Sequence, residues 1–156
     1  MDRTLLTDDM WRRFCSATGV SHETYDVVAF GRATQSEAKL AQLVIAGRKR
    51  ATVNLMRNYE AGEPLPVIGG YVVTVDGDGN PICIWQTIEL RLGPLNSVDE
   101  QFAYDEGEGD QTCEWWLAAH CQEFAAEAAT RGYEFDDTME AVFERFRVVW
   151  PPEVAD

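Results

Sequence analysis

Gly47-Arg48-Lys49-Arg50-Ala51-Thr52 puts three cations in a row, with a hydroxyl three residues after the middle one. Thr52 reads as the N-cap of a short helix in which Leu55, Met56 and Tyr59 share one side and Gly62 lies beyond the end. Unpaired N–H groups and the positive dipole end at such a terminus favour an anion or a developing oxyanion. Lys49 and the Thr52 hydroxyl could then face one ligand, and a lysine crowded by other cations gives up its proton more easily, as a general base toward that hydroxyl must. A basic turn followed by a helix cap is the purely structural alternative.

The second cluster is Asp105, Glu106, Glu108 and Asp110, interleaved with Gly107 and Gly109. Carboxylates this close repel, so at least one should hold its proton tightly unless a cation or a helix end relieves it. A general acid or base is one outcome. A Mg²⁺ or Mn²⁺ site, with Glu108 and Asp110 as ligands, is another, although the spacing is not that of an EF-hand. The plain alternative is a solvated loop in which Asp110 caps the following helix.

Tyr59, Trp85, Tyr104, Trp115 and Trp116 could stack on a base or fill a core. Trp85-Gln86 combines an indole with an amide that can hydrogen-bond a flat heterocycle. His22 and His120 are the only imidazoles, too few and too far apart for a paired-histidine nuclease. Cys15, Cys83, Cys113 and Cys121 form no C-x-x-C pair and read as buried structural thiols in a reducing compartment. His120 and Cys121 point about 100° apart on a helix and would not share an ion. There is no G-x-S-x-G elbow, phosphate loop or dinucleotide fingerprint.

The elements that must position these groups are short. Thr7 or Asp8 caps a first helix that runs to about Ala17 and stops at Gly19; the stretch from Val20 to Thr34 has no clear pattern. Ser36 caps a second helix carrying Leu40, Leu43 and Val44, stopped by Gly47. Tyr71–Val75 and Ile82–Leu92 form a hairpin across Asp76-Gly-Asp-Gly-Asn-Pro81, and Ser97 or Asp99 starts a short turn. Asp110 caps a long helix to about Thr130, ended by Gly132, and 141–150 is a closing strand. Helices around a small, mostly antiparallel sheet or barrel make an α+β fold.

The chain has 156 residues, 46% of them apolar, enough for one domain with a sizeable core. Thirteen Lys and Arg against 27 Asp and Glu leave a formal charge of −14, which repels long polyanions and argues against duplex DNA as a partner. No apolar run reaches the roughly 18 residues of a membrane span, and the N-terminus lacks a secretory signal, so a cytoplasmic location is expected.

Together these residues resemble an ASCH domain, a family with a PUA-like fold in which helices flank a small β-barrel. The resemblance rests on Gly47-x-Lys49-x-x-Thr52, Tyr59-x-x-Gly62-x-x-Leu65-Pro66-x-x-Gly69, Gly79-x-Pro81, Phe102-Ala103-x-x-Glu106-Gly-Glu-Gly-Asp110, Trp116-x-x-x-His120 and Phe146-x-Val148-Val149. It implies a single domain over 1–156, with a helical extension over about 1–35 and a family-like core over about 40–150. It further implies a cleft for a small nucleoside or single-stranded RNA, lined by the Gly47-x-Lys49-x-x-Thr52 segment; with the aromatic residues above, the ligand-binding candidates are Gly47, Arg48, Arg50, Tyr59, Trp85 and Gln86. In amidohydrolase members, which act on N4-acetylcytidine, the matching catalytic residues are Lys49, Thr52 and Glu106, with no cofactor: Thr52 attacks, Lys49 takes the hydroxyl proton and Glu106 protonates the leaving amine. The alternatives are a ribonuclease, for which the acidic loop could hold a divalent metal, and a noncatalytic RNA-binding or regulatory module. The chain departs from many relatives in its added N-terminal helix, its longer acidic loop and Gly70, where they carry aspartate.

Overall fold

A computed structural model describes residues 1–30 and 35–156, with side chains from residue 39 onward in the second helix; the cap expected at Ser36 lies outside the described side chains. Its elements are α1 (Leu5–Thr18), β1 (Asp26–Ala29), α2 (Gln35–Ile45), β2 (Ala51–Leu55), α3 (Met56–Glu60), β3 (Tyr71–Val75), β4 (Pro81–Pro94), a 3₁₀ turn (Leu95–Ser97), α4 (Glu100–Glu106), α5 (Cys113–Arg131) and β5 (Glu140–Trp150). The strands form one sheet in the order β1-β3-β4-β5-β2. All neighbours are antiparallel except β1 and β3. Bulges in β4 at Ile84/Trp85 and Thr87/Glu89 curl the sheet into a half-barrel. The expected hairpin and closing strand are therefore present. The unpatterned stretch after α1 contributes β1, whose Asp26-Val27-Val28-Ala29 lies beside β3.

Local chemistry moves two of the expected helix starts. Thr4, not Thr7 or Asp8, caps α1: its hydroxyl accepts from the Thr7 N–H while the Thr7 hydroxyl accepts from the Thr4 N–H. Asp8 instead accepts from the Tyr25 hydroxyl at 2.7 Å. Thr112 caps α5 by accepting from Trp115 N–H, and Asp110 stands two residues earlier, accepting from the N–H and hydroxyl of Thr112.

The largest departure concerns Thr52, which is not a helix cap but the second residue of β2, directly opposite Glu144 of β5. Alternation explains it. Ala51 and Leu55 are fully buried with Val53 packed beside them, a period of two that β-branched Thr52 and Val53 favour over a helical turn. No helix terminus awaits an anion there.

Two faces of the sheet result. Ala51 and Leu55 of β2, with Ala141 and Phe143 of β5, pack against Phe102 of α4 and Trp116 and Phe124 of α5. On the other face Phe146 and Val148 of β5 join Trp85 of β4, Val72 of β3 and Val44 of α2, while Trp11 and Phe14 of α1 pack on Val73, Val75 and Ile84, which alternate with Val72 and Trp85 and point the opposite way. Thr52, Asn54 and Glu144 share this second face by strand alternation. No helix among the described residues is long and apolar enough to cross a membrane. All four thiols are free; Cys83 is buried and the other three are half-buried.

Candidate functional site

Lys49, two residues before the first buried residue of β2, sends its side chain to the α4–α5 side. Its Nζ lies 3.0 Å from Glu106 Oε1 and 3.1 Å from Glu108 Oε2. Glu106 is the last residue of α4, and its other oxygen accepts from Trp116 Nε1 and lies 3.2 Å from His120 Nε2, both on α5. Lys49, Glu106 and His120 are all buried. Two chain segments distant in sequence are thus joined by a closed set of two cations and two carboxylates.

The hydrogen bonds define the protonation states. His120 Nδ1 donates to the Trp116 carbonyl at 2.8 Å and Nε2 lies 3.2 Å from a Glu106 oxygen, surroundings that favour the imidazolium. It stacks on the Trp116 indole at 4.0 Å. Burial alone would raise the Glu106 pKa, but Lys49 and His120 outweigh it and bring the carboxyl down to about 2. Burial likewise disfavours the charged forms of Lys49 and His120, yet the facing carboxylates win and both pKa values lie above their ordinary ones. Lys49 is accordingly a fixed ammonium, a poor acceptor for a hydroxyl proton.

The glycines between the carboxylates make this closure possible. A Cβ on Gly107 would stand 2.5 Å from the Arg48 carbonyl oxygen, and one on Gly109 would stand 2.2 Å from the Trp115 ring. Both glycines also have positive φ, so the loop can fold tightly enough to bring Glu108 onto Lys49.

The other residues singled out by the sequence have separate fates. Gly47 closes α2, its N–H on the Val44 carbonyl. Arg48 donates to the Gly109 carbonyl at 3.0 Å, and Arg50 pairs with Asp156 at 2.8 Å while also holding the Val44 carbonyl. Gln86 donates to the Gly69 carbonyl and accepts from Arg147, which fastens the loop before β3 to the sheet. Trp85 is not a ring open to a base: it is 2% exposed and stacked on Phe146 at 4.0 Å. Thr52 is half-buried and faces away from Ala51 and Val53, hence away from the Lys49–Glu106 pair.

On Thr52's own face stands a group that the sequence reading passed over. Glu144 is 5% exposed and accepts from the Thr87 hydroxyl at 2.7 Å. Burial raises its pKa against the opposing influence of Thr87 and Trp85, and Asp26 adds to the rise. Tyr59 of α3 lies near enough that burial and then the Glu144 charge raise its own pKa. His120, named in the motif, was given no role at the site. Both had a signal: Trp116-x-x-x-His120 places the two rings on one helical face, and Glu144 interrupts the inward row Val142, Phe146, Val148 of β5.

Glu106, Glu108 and His120 each offer one ligand atom, all within 4.8 Å of one another. Lys49 already stands against both of those carboxylates, so a divalent ion would meet an ammonium in the same place. Asp110 is engaged with Thr112.

A curled, mostly antiparallel sheet wrapped by helices is the α+β architecture of the PUA-like folds. The family model of the ASCH domain matches residues 26–150, and the chain belongs to that family. The match takes in β1 and α2, upstream of the core expected from about residue 40. The chain is similar to the ASCH domain from Lactobacillus crispatus JV V101, at 32% identity and a TM-score of 0.81, over 92% of this chain and 94% of that one. A protein from Enterococcus faecalis V583 is similar at 31% identity and a TM-score of 0.80, over 90% and 86% of the two chains. None of the curated proteins matches.

Proposed function

We propose that this ASCH protein hydrolyses an acylated pyrimidine nucleoside of the N4-acetylcytidine kind, in preference to cleaving RNA. The observation that carries the reading is the fate of the basic segment. Arg48, Lys49 and Arg50 are each engaged with a carbonyl or carboxylate of the chain itself. With a formal charge of −14, a phosphate backbone has little to gain at this segment, whereas a free nucleoside carries no phosphates to repel.

Thr52 supplies the nucleophile. Its oxygen attacks the acetyl carbonyl, the C–N4 bond breaks with the hydroxyl proton passing to the leaving nitrogen, and water then releases acetate from the threonyl ester. Lys49 and Glu106, locked together at the start of β2, serve as positioning residues for the strand that carries Thr52. A metal-dependent ribonuclease is the second reading: Glu106, Glu108 and His120 lie close together, and an ion there would have to displace Lys49 and the His120 proton.

Incubation with N4-acetylcytidine and with single-stranded RNA, each with and without EDTA, separates the two. Cytidine and acetate are expected from the first substrate, insensitive to EDTA, with the RNA intact. Thr52→Val should lower nucleoside turnover by about 10³-fold or more, with the melting temperature held within a few degrees. RNA cleavage abolished by EDTA, without nucleoside turnover, would replace this reading with the second.

A further inference from the structure

On the sheet face that α4 covers, β4, β5 and the start of α4 enclose a cleft of about 70 Å³, floored by the buried rings of Phe102 and Phe143 and lined by Glu89, Arg91, Asp99 and Arg145. That is room for roughly five water-sized atoms. The charges around it are not equivalent. Arg145 is neutralised within the fold, its Nη1 on Asp105 and its Nε 3.6 Å from Glu89. Arg91 and Asp99, of opposite charge and lining the same cleft, are not joined: among the described residues no carboxylate stands within ion-pair distance of the Arg91 guanidinium, and no cation within that distance of Asp99.

Each is held instead by uncharged groups. Arg91 donates through Nη1 to Ser97 Oγ at 2.9 Å and through Nη2 to the Ser97 carbonyl at 3.2 Å, with its guanidinium 4.0 Å over the Phe143 ring. A side chain at position 93 would crowd this clamp, since a Cβ on Gly93 would stand 3.1 Å from Ser97 Oγ and 3.2 Å from Arg91 Nη1. Asp99 Oδ1 accepts from the Phe102 N–H at 2.7 Å as the cap of α4, and Oδ2 has no hydrogen bond among the described residues.

This lining restricts what the cleft can hold. A simple anion drawn to Arg91 meets Glu89 and Asp99, and a simple cation drawn to Asp99 meets two guanidinium groups. A molecule with a carboxylate and an ammonium a few bonds apart satisfies both: the planar fork of Arg91 donates to the carboxylate, Asp99 accepts from the ammonium, and the phenyl rings beneath take the short carbon body. Because Arg91 is fixed by the fold itself, little ordering of its long side chain is left to oppose binding. We propose that this cleft binds a small zwitterion of the free α-amino acid class through Arg91 and Asp99. Arg145 and Phe143 alternate along β5 with Glu144, the residue opposite Thr52, so the cleft lies on the other face from Thr52 and the proposal stands apart from the hydrolase reading.

The test uses the full chain with glycine, acetate and methylammonium as probes, the last two each carrying one of glycine's charges. In an NMR titration with the Arg91 Nε–H and Phe143 ring signals assigned in the wild-type protein, millimolar glycine should shift both, and acetate and methylammonium should each bind about tenfold more weakly or worse. Asp99→Asn keeps an oxygen for the Phe102 N–H, so α4 remains capped, and it should weaken glycine about tenfold while leaving acetate unchanged. Arg91→Gln should remove the binding of both. Charges that serve only the fold would alter the melting temperatures of the variants and give no difference among the probes. The proposal is overturned by Arg91 and Phe143 signals that glycine leaves unmoved, a readout on the wild-type protein that stands even if a variant does not fold. It is equally overturned by acetate or methylammonium binding as tightly as glycine, or by glycine binding that Asp99→Asn leaves intact.

Discussion

Glu106 and Glu144 are both buried, at 1% and 5% exposure, on opposite faces of the same curled sheet, and their surroundings have opposite chemistry. Glu106 is enclosed by an ammonium, an imidazolium and an indole N–H. Glu144 has a single hydroxyl donor in proper geometry among the described residues. The first is a charge stabilised by charges, which fixes where β2, α4 and α5 meet. The second is a carboxyl held against its desolvation cost, and burial raises its pKa. Motif matching draws the eye to Glu106; the unbalanced electrostatics point to Glu144.

The largest effect expected from this difference is on stability. Glu106→Gln leaves Lys49 and His120 with Glu108 as the remaining negative charge in contact, and breaking one partner out of a buried ionic set costs about 3–5 kcal/mol. Glu144→Gln keeps a group that can accept from Thr87 and should change stability by no more than about 1 kcal/mol. Urea denaturation of both variants at neutral pH measures the contrast. Similar losses in the two would remove the distinction.

An intermediate effect comes from the loop that closes the ionic set. Gly109→Ala places a methyl 2.2 Å from the Trp115 ring at a backbone φ of 57°. Relief requires the indole or the loop to move, at about 1–3 kcal/mol. Because the loop also carries Glu108, the variant should loosen Lys49 without touching the Glu144 face. Thermal unfolding together with the chemical shift of the Lys49 ammonium checks this. An unchanged ammonium signal would show that Glu108 does not depend on the tight turn.

These contrasts were unevenly legible in the sequence. The hairpin and closing strand stood out because alternating β-branched residues between glycine-rich turns admit few other structures. Thr52 misled, because a threonine before an apolar run with helical spacing satisfies the rule for a cap, while the force that places it in β2 is pairing with β5, 92 residues away in sequence by the Thr52–Glu144 register. The contact of Lys49 with Glu106 followed from motif position. That Lys49 is locked as a cation did not, because the local run Arg48-Lys49-Arg50 suggests a depressed pKa and only the tertiary fold delivers the two carboxylates. Trp85 looked like a stacking platform until Phe146 took its face and left the indole edge as its one unspent group.

The last effect is also the sharpest, because it turns on a sign. The Glu106 pKa is lowered from 4.5 to about 2 in the fold, so its ionic contribution is complete above the unfolded value and disappears as pH falls from about 4.5 toward 2. The stability deficit of Glu106→Gln should therefore grow as pH rises through that window. At the alkaline side, His120 has a raised pKa, so its share of the pairing is present below its ordinary value and is lost as pH climbs through the folded one. Glu144 behaves in the opposite way to Glu106. Its raised pKa means the folded state holds the proton more tightly, so wild-type stability declines as pH rises from the ordinary carboxyl range through the Glu144 value, and Glu144→Gln escapes that decline. Urea denaturation of wild type and both variants from about pH 2.5 to 8 should thus give difference curves of opposite slope on the acid side. Parallel curves would mean that the two carboxyls share one kind of environment, and the contrast between the two faces of the sheet would lose its physical basis.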